Sequence, residues 1–241
     1  MGKKLKLFLG ISYLIILTGF LYFLFLSLEI NRLDDFSYYK ELQLTIEEFI
    51  GTNYLLNLIY FFIFSIIWII LLGFGSPLLL ISGIFFGKWV GFSISLISIS
   101  IGTLLLYIIA NFFFKDLVKN YLEKKFERYI LVFKKNEFLY FFAYRFLGGL
   151  GIPFGLQNTL PVLFNMRKIN YFFASFFGFI PHFFIWNTVG SGLNKYVSQT
   201  ENFSLITLIL TPEIYFPFIG FIILVIISLY LKKKIFYDYK K

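Results

Sequence analysis

Between Phe49 and Phe114 a single side chain, Lys88, carries a charge. A run that long and that apolar has room for about three passes of roughly 20 residues each through a hydrocarbon layer. No water-soluble core of this size needs it. Over all 241 residues, 59% are hydrophobic and 23% aromatic, with 36 Phe, which makes the chain an integral membrane protein. There are no cysteines, so disulfides, thiolate chemistry and Cys-based metal sites are excluded. The net charge of +9 gathers in the N-terminus, one loop and the tail. That pattern speaks for topology and anionic lipid contact, with no nucleic-acid partner.

Charge placement predicts a topology. Lys3, Lys4 and Lys6 precede a long apolar run, read as an uncleaved span with the N-terminus cytoplasmic. The acidic segment 29–48 is free to lie outside. The loop 115–137 holds Lys115, Lys119, Lys124, Lys125, Arg128, Lys134 and Lys135 and belongs inside, as do Arg167, Lys168 and the tail lysines. Within that loop Val118, Leu122, Phe126, Tyr129 and Phe133 recur at helical spacing. They predict an amphipathic helix on the inner surface or a solvated connecting helix.

Parity then constrains the rest. Passing from outside at 48 to inside at 115 takes an odd number of crossings, so two full spans in 55–114 conflict with the charges. Either 55–114 holds three tight spans, or 55–90 is a re-entrant hairpin turning at Gly73–Pro77 and 93–114 is the crossing. In the second half both flanks of 138–165 are basic. It also enters and leaves on one side, turning at Gly148–Pro153, and 170–191 and 206–231 then cross. The expected fold is an all-α polytopic membrane protein. It is an inverted repeat of two re-entrant helical hairpins, each followed by a transmembrane helix, with flanking N- and C-terminal spans. The expected units are 1–54, a core of 55–192, and 193–241.

Arg145 is the one charge inside 138–165. A charge at that depth is costly and is kept for an interaction within the protein or a watery cavity. The break Gly148–Pro153 leaves backbone groups that must be buried in protein or line such a cavity. Arg145, with Gln157 and Asn158, is the candidate substrate-binding set. The guanidinium fork suits phosphate oxygens, but it could equally brace the carbonyls of the opposite hairpin. Gln157 and Asn158 could line the cavity or cap the broken backbone. Gly75, Pro77, Gly83, Gly87, Gly148, Gly151, Pro153, Gly178 and Pro181 are expected as structural turn residues. Gly83, Gly87, Gly91 and Gly102 also permit close helix contact.

The ordered set Gly83-Ile84-Phe85-Phe86-Gly87, Arg145 … Pro153-Phe154-Gly155-Leu156-Gln157-Asn158 and Gly178-Phe179-Ile180-Pro181 resembles the VTT-domain family, also called the SNARE-associated Golgi protein or DedA superfamily. The resemblance covers roughly 73–192. It implies two opposed re-entrant hairpins and movement of lipids between leaflets, phospholipids in eukaryotic members and polyprenyl phosphates in bacterial ones. This chain departs from the family pattern. Arg145-Phe146-Leu147-Gly148 stands where the family has Arg-x-x-Pro, and Asn111 stands where an Arg is common. The acidic residues of the first hairpin are missing, which favours a passive path.

His182, the single histidine, has no acidic or Cys neighbour in sequence and is not expected to hold a metal. No cofactor is expected. With no nucleophile–base motif, enzyme activity is not expected either. The functional expectation is translocation or scrambling of phosphate-bearing lipids (phospholipid or polyprenyl phosphate) in a cell membrane, with homo-oligomerisation left open. The alternatives are a non-transporting membrane scaffold and an ion or solute transporter.

Overall fold

The computed structural model describes residues 3–26, 35–72, 75–117 and 123–238. They form helices α1 (Lys3–Leu26), α2 (Phe36–Thr52), α3 (Tyr54–Leu72), α4 (Ser76–Leu117), α5 (Glu123–Lys135), α6 (Glu137–Phe146), α7 (Phe154–Thr159), α8 (Lys168–Gln199), α9 (Leu205–Ile209) and α10 (Pro212–Asp238). No strand occurs among the described residues. Within them, α3, α4 and α8 are long and apolar enough to cross a membrane.

Several boundaries differ from those the sequence predicts. The acidic segment 29–48, read as an outer loop, contains most of α2. Asp35 caps that helix by accepting from the Ser37 amide at 2.9 Å. Gln43 and Ile50 are buried while Glu41, Glu47 and Glu48 face outward. The segments 55–90 and 93–114 are not divided by a loop. The chain runs from Ser76 to Leu117 as one line of helix, interrupted only at Gly87 (φ 72°, ψ 175°). That left-handed backbone suits glycine. The expected span 206–231 is split at Thr211, because a residue before proline avoids the helical region, and Pro212 then opens α10.

The first break lies between the end of α3 at Leu72 and the start of α4 at Ser76, and the second is more elaborate. α6 ends at Phe146, and Gly148–Gly151 make a tight 3₁₀ turn with φ of 70° and 71° at Gly148 and Gly149. Pro153 leads into α7, which continues as a 3₁₀ turn through Leu160–Phe164. Asn165 then adopts φ 45° before α8 begins. In the first half Pro77 stands in the opening turn of α4, where its missing N–H leaves nothing unpaired.

Three residues expected at turns lie inside helices. Gly83 is in α4, and Gly178 and Pro181 are in α8. The glycines are there for contact. A β-carbon at Gly83 would stand 2.2 Å from the Asn187 carbonyl oxygen, and one at Gly190 the same distance from that of Leu80, so α4 and α8 cross backbone to backbone. Pro181 is carried within α8, as packed membrane helices permit.

Two apolar clusters form the core. The first joins Ile69, Leu78 and Ile99 with Phe179 and Phe183 of α8. The second joins Tyr107 and Ala110 of α4 with Phe141, Val162, Tyr171 and Ala174. Each broken segment therefore packs on the long helix that follows the other. α5 docks on the second break through buried Ile130 and through Phe133, which stacks on Phe164 at 4.2 Å. Of the amphipathic stripe expected in 115–137, Val118 and Leu122 lie outside the described residues.

Candidate functional site

Arg145 stands in the last turn of α6, whose N-terminus is capped by the Asn136 side chain. It is 2% exposed. Nη1 donates to Gln157 Oε1 at 3.1 Å. Nη2 donates to Asn158 Oδ1 at 2.6 Å and to the Tyr171 hydroxyl at 3.0 Å. The guanidinium carbon lies 4.8 Å from the ring centres of both Phe141 and Phe179, so aromatic faces replace part of its lost hydration. Every hydrogen-bond acceptor is neutral. The Nε–H has no partner.

The partners are themselves held. Tyr171 donates to the Asn158 carbonyl at 3.2 Å and stacks on Tyr107 at 4.6 Å, and the Tyr107 hydroxyl reaches the Met166 carbonyl at 2.6 Å. Gln157 Nε2 donates to the carbonyls of Ile152 (2.6 Å) and Gly148 (3.4 Å). Gln157 thus caps the broken backbone, as one of its two expected readings had it, and turns its oxygen to Arg145, which the sequence did not suggest. Asn158 is fully buried and grips the guanidinium. Of the two readings open for Arg145, the brace to carbonyls of the opposite hairpin is corrected: Arg145 bonds side-chain oxygens on its own segment's return arm and on α8. A planar, multidentate donor satisfies convergent side-chain acceptors better than one distant carbonyl.

A cavity of about 210 Å³ opens where the two breaks meet. Gly75, Ser76 and Leu79 line it from the first break, and Arg145, Gly148, Phe154 and Gln157 from the second. Phe179, His182, Phe183 and Trp186 of α8 complete the wall. A β-carbon on Gly75 would rest 3.7 Å from the Phe154 ring, so the breaks touch.

Other polar centres were not among the sequence candidates. Asn187, fully buried, accepts from Ser82 Oγ at 2.5 Å and donates to Ser95 Oγ at 3.1 Å and to the Phe183 carbonyl at 2.8 Å. It ties α8 to both sides of the Gly87 interruption. Glu137, 8% exposed, accepts from Arg167 Nε (2.8 Å), from the Arg167 amide (3.3 Å) and from Asn170 Nδ2 (2.6 Å). This closes the start of α6 onto the start of α8. A lone acid following a basic loop, and a lone amide within the apolar part of α8, were the available signals.

Fold and site together define an all-helical membrane protein with interrupted helices around a polar centre. The VTT domain family model matches residues 71–192 of the 241, about half the chain, and holds the second break, Arg145, its partners and the cavity wall. The chain belongs to the VTT-domain family and is a membrane protein of the DedA type. No solved structure matches it.

Proposed function

We propose that this protein translocates phosphate-bearing lipids between the leaflets of a cell membrane, without enzymatic chemistry and with both termini cytoplasmic. The observation that carries the reading is the cavity between the two breaks with Arg145, a buried charge, in its wall. In this reading the breaks are tips of re-entrant hairpins in an inverted repeat, meeting at mid-membrane as broken helices do around translocation sites. Two correspondences support the repeat. Each half leaves its return arm through a left-handed residue, Gly87 or Asn165. Each following helix then carries a glycine against its own half's first arm, Gly102 against Ile69 and Gly178 against Arg145.

Arg145 attracts a headgroup phosphate, while Gln157, Asn158 and Tyr171 hold the fork and leave Nε–H for a phosphate oxygen. Membrane lipids are the partner this chemistry fits. Ile69 occupies the matching place in the first half, so the charge is one-sided. Proteoliposomes with labelled phospholipid, and separately with a polyprenyl phosphate, test translocation. Wild-type protein that moves neither would reject the reading. Single cysteines at positions 75 and 150, probed from each side of the membrane, test the hairpins: free labelling of either as an extramembrane loop is incompatible with them.

A further inference from the structure

We infer that His182 is a second, proton-dependent donor to the anion held at Arg145, so that proton and phosphate bind together. This rests on the lipid-translocating reading of the same cavity. His182 follows Gly178 by one helical turn, on the face of α8 that Arg145 packs against. Its ring covers the second break: a β-carbon at Gly148 would lie 2.9 Å from His182 Nε2. Its buried Nδ1 has no partner, and neither has Nε of Arg145, which is 2% exposed. Of the described residues that line the cavity only these two carry or acquire charge, and no carboxylate is among them.

Among the described residues, the charged groups on elements packed against α8 that come nearest to His182 are engaged or distant. Glu137 of α6 is bound to Arg167, about 22 Å along the helix from His182. Glu213 of α10 is bound to Lys195, about 20 Å the other way. Lys88 of α4 projects outward beside Trp89. On α2, Gln43 donates to Glu47, and Lys40, Glu41 and Glu48 line no part of the cavity. Tyr144 and Tyr171 neighbour Arg145, and Tyr171 bonds it directly.

An unpartnered imidazole nitrogen on the cavity that Arg145 also lines therefore has no carboxylate among the described lining residues to serve as counterion. A phosphate oxygen supplies one. Neutral imidazole donates from one nitrogen and imidazolium from both, so an anion between the two residues favours the protonated ring. By linkage the proton favours the anion by the same factor. Binding should therefore tighten as the pH falls through the range in which this histidine takes up a proton.

The chain's single histidine gives a single ring signal after ¹⁵N-histidine labelling. The probes are dihexanoyl phosphatidylglycerol and dimethyl phosphate, both phosphodiesters whose own charge is constant over this range. Phosphatidylglycerol should move the ring signal towards imidazolium at pH 6.5 and bind about fivefold tighter at pH 5.5 than at 7.5, within the tenfold limit that one unit of linkage sets. Dimethyl phosphate giving the same response shows that the phosphate alone is recognised, and a response to the lipid alone shows that the chains are needed. Both outcomes support the inference. A signal that neither probe moves overturns it, and so does a pH dependence that survives His182→Gln. Translocation of labelled phosphatidylglycerol by the same preparation separates the two readings. Transport without a histidine response rejects only this inference, whereas folded protein that moves no lipid at either pH rejects the parent reading.

Discussion

Gly178 and Arg145 meet so closely that a β-carbon on the glycine would lie 2.4 Å from Arg145 Cβ. The backbone of Phe142 and Phe146 stands 3.2 Å away, so the neighbours cannot yield by rotating a side chain. Gly178→Ala should push α6 from α8 and destabilise the protein by about 1–3 kcal/mol, read as a lower unfolding midpoint in detergent. Gly75→Ala, whose β-carbon meets only ordinary contacts at 3.7–3.8 Å, should leave the midpoint unchanged.

Keeping the charge of Arg145 should not keep its function. A lysine ammonium is a compact point charge and cannot span Gln157, Asn158 and Tyr171 as the fork does. Arg145→Lys should cut translocation at least about tenfold, with a smaller fall in melting temperature than Arg145→Met, which orphans three buried acceptors at about 1–3 kcal/mol each before relaxation. A lysine variant as fast as the parent would falsify the proposed use of the fork.

Asn187 predicts a coupling across the molecule. Asn187→Ala removes its bonds to Ser82, Ser95 and the Phe183 carbonyl. The expected loss is about 1–2 kcal/mol, the range for hydrogen bonds between membrane helices. If Ser95→Ala in the Asn187→Ala background costs as much as it does alone, the two do not act through their mutual bond.

Glu137 and Arg167 should differ although they pair. The Arg167 side chain is 77% exposed, so Arg167→Ala should cost no more than about 1 kcal/mol. Glu137→Gln weakens the bonds to the Arg167 amide and Asn170 as well, and about 1–3 kcal/mol is expected. Chemical denaturation of both variants checks the order.

The apolar runs, the places where helices break and the burial of Arg145 were legible because each is local. Gly, Pro and a lone charge announce themselves within a few residues. Gly83 was read both as a turn and as a close-contact residue, and only the contact holds, while Gly178 was read as a turn alone, because a glycine that bends a chain and one that admits a neighbouring backbone look alike in sequence. The site's partners were only half legible. Gln157 and Asn158 follow Arg145 on the same segment, but Tyr171 reaches it from α8, and Asn187 meets Ser82 across 105 residues of chain. Packing of whole helices sets such contacts, so no spacing rule finds them. α2 was missed because its acidic residues read as loop, although Asp35 and the alternation of buried and exposed positions mark a surface helix.

That every hydrogen-bond acceptor of Arg145 is neutral has an electrical consequence. An uncompensated positive charge in a low-dielectric wall attracts anions and raises a barrier against sodium, potassium and protonated water, as arginines do in water-selective pores. A route open to a lipid phosphate can then stay closed to cations. Vesicles carrying this protein should hold a potassium gradient as long as empty ones do, and those carrying Arg145→Met should leak sooner.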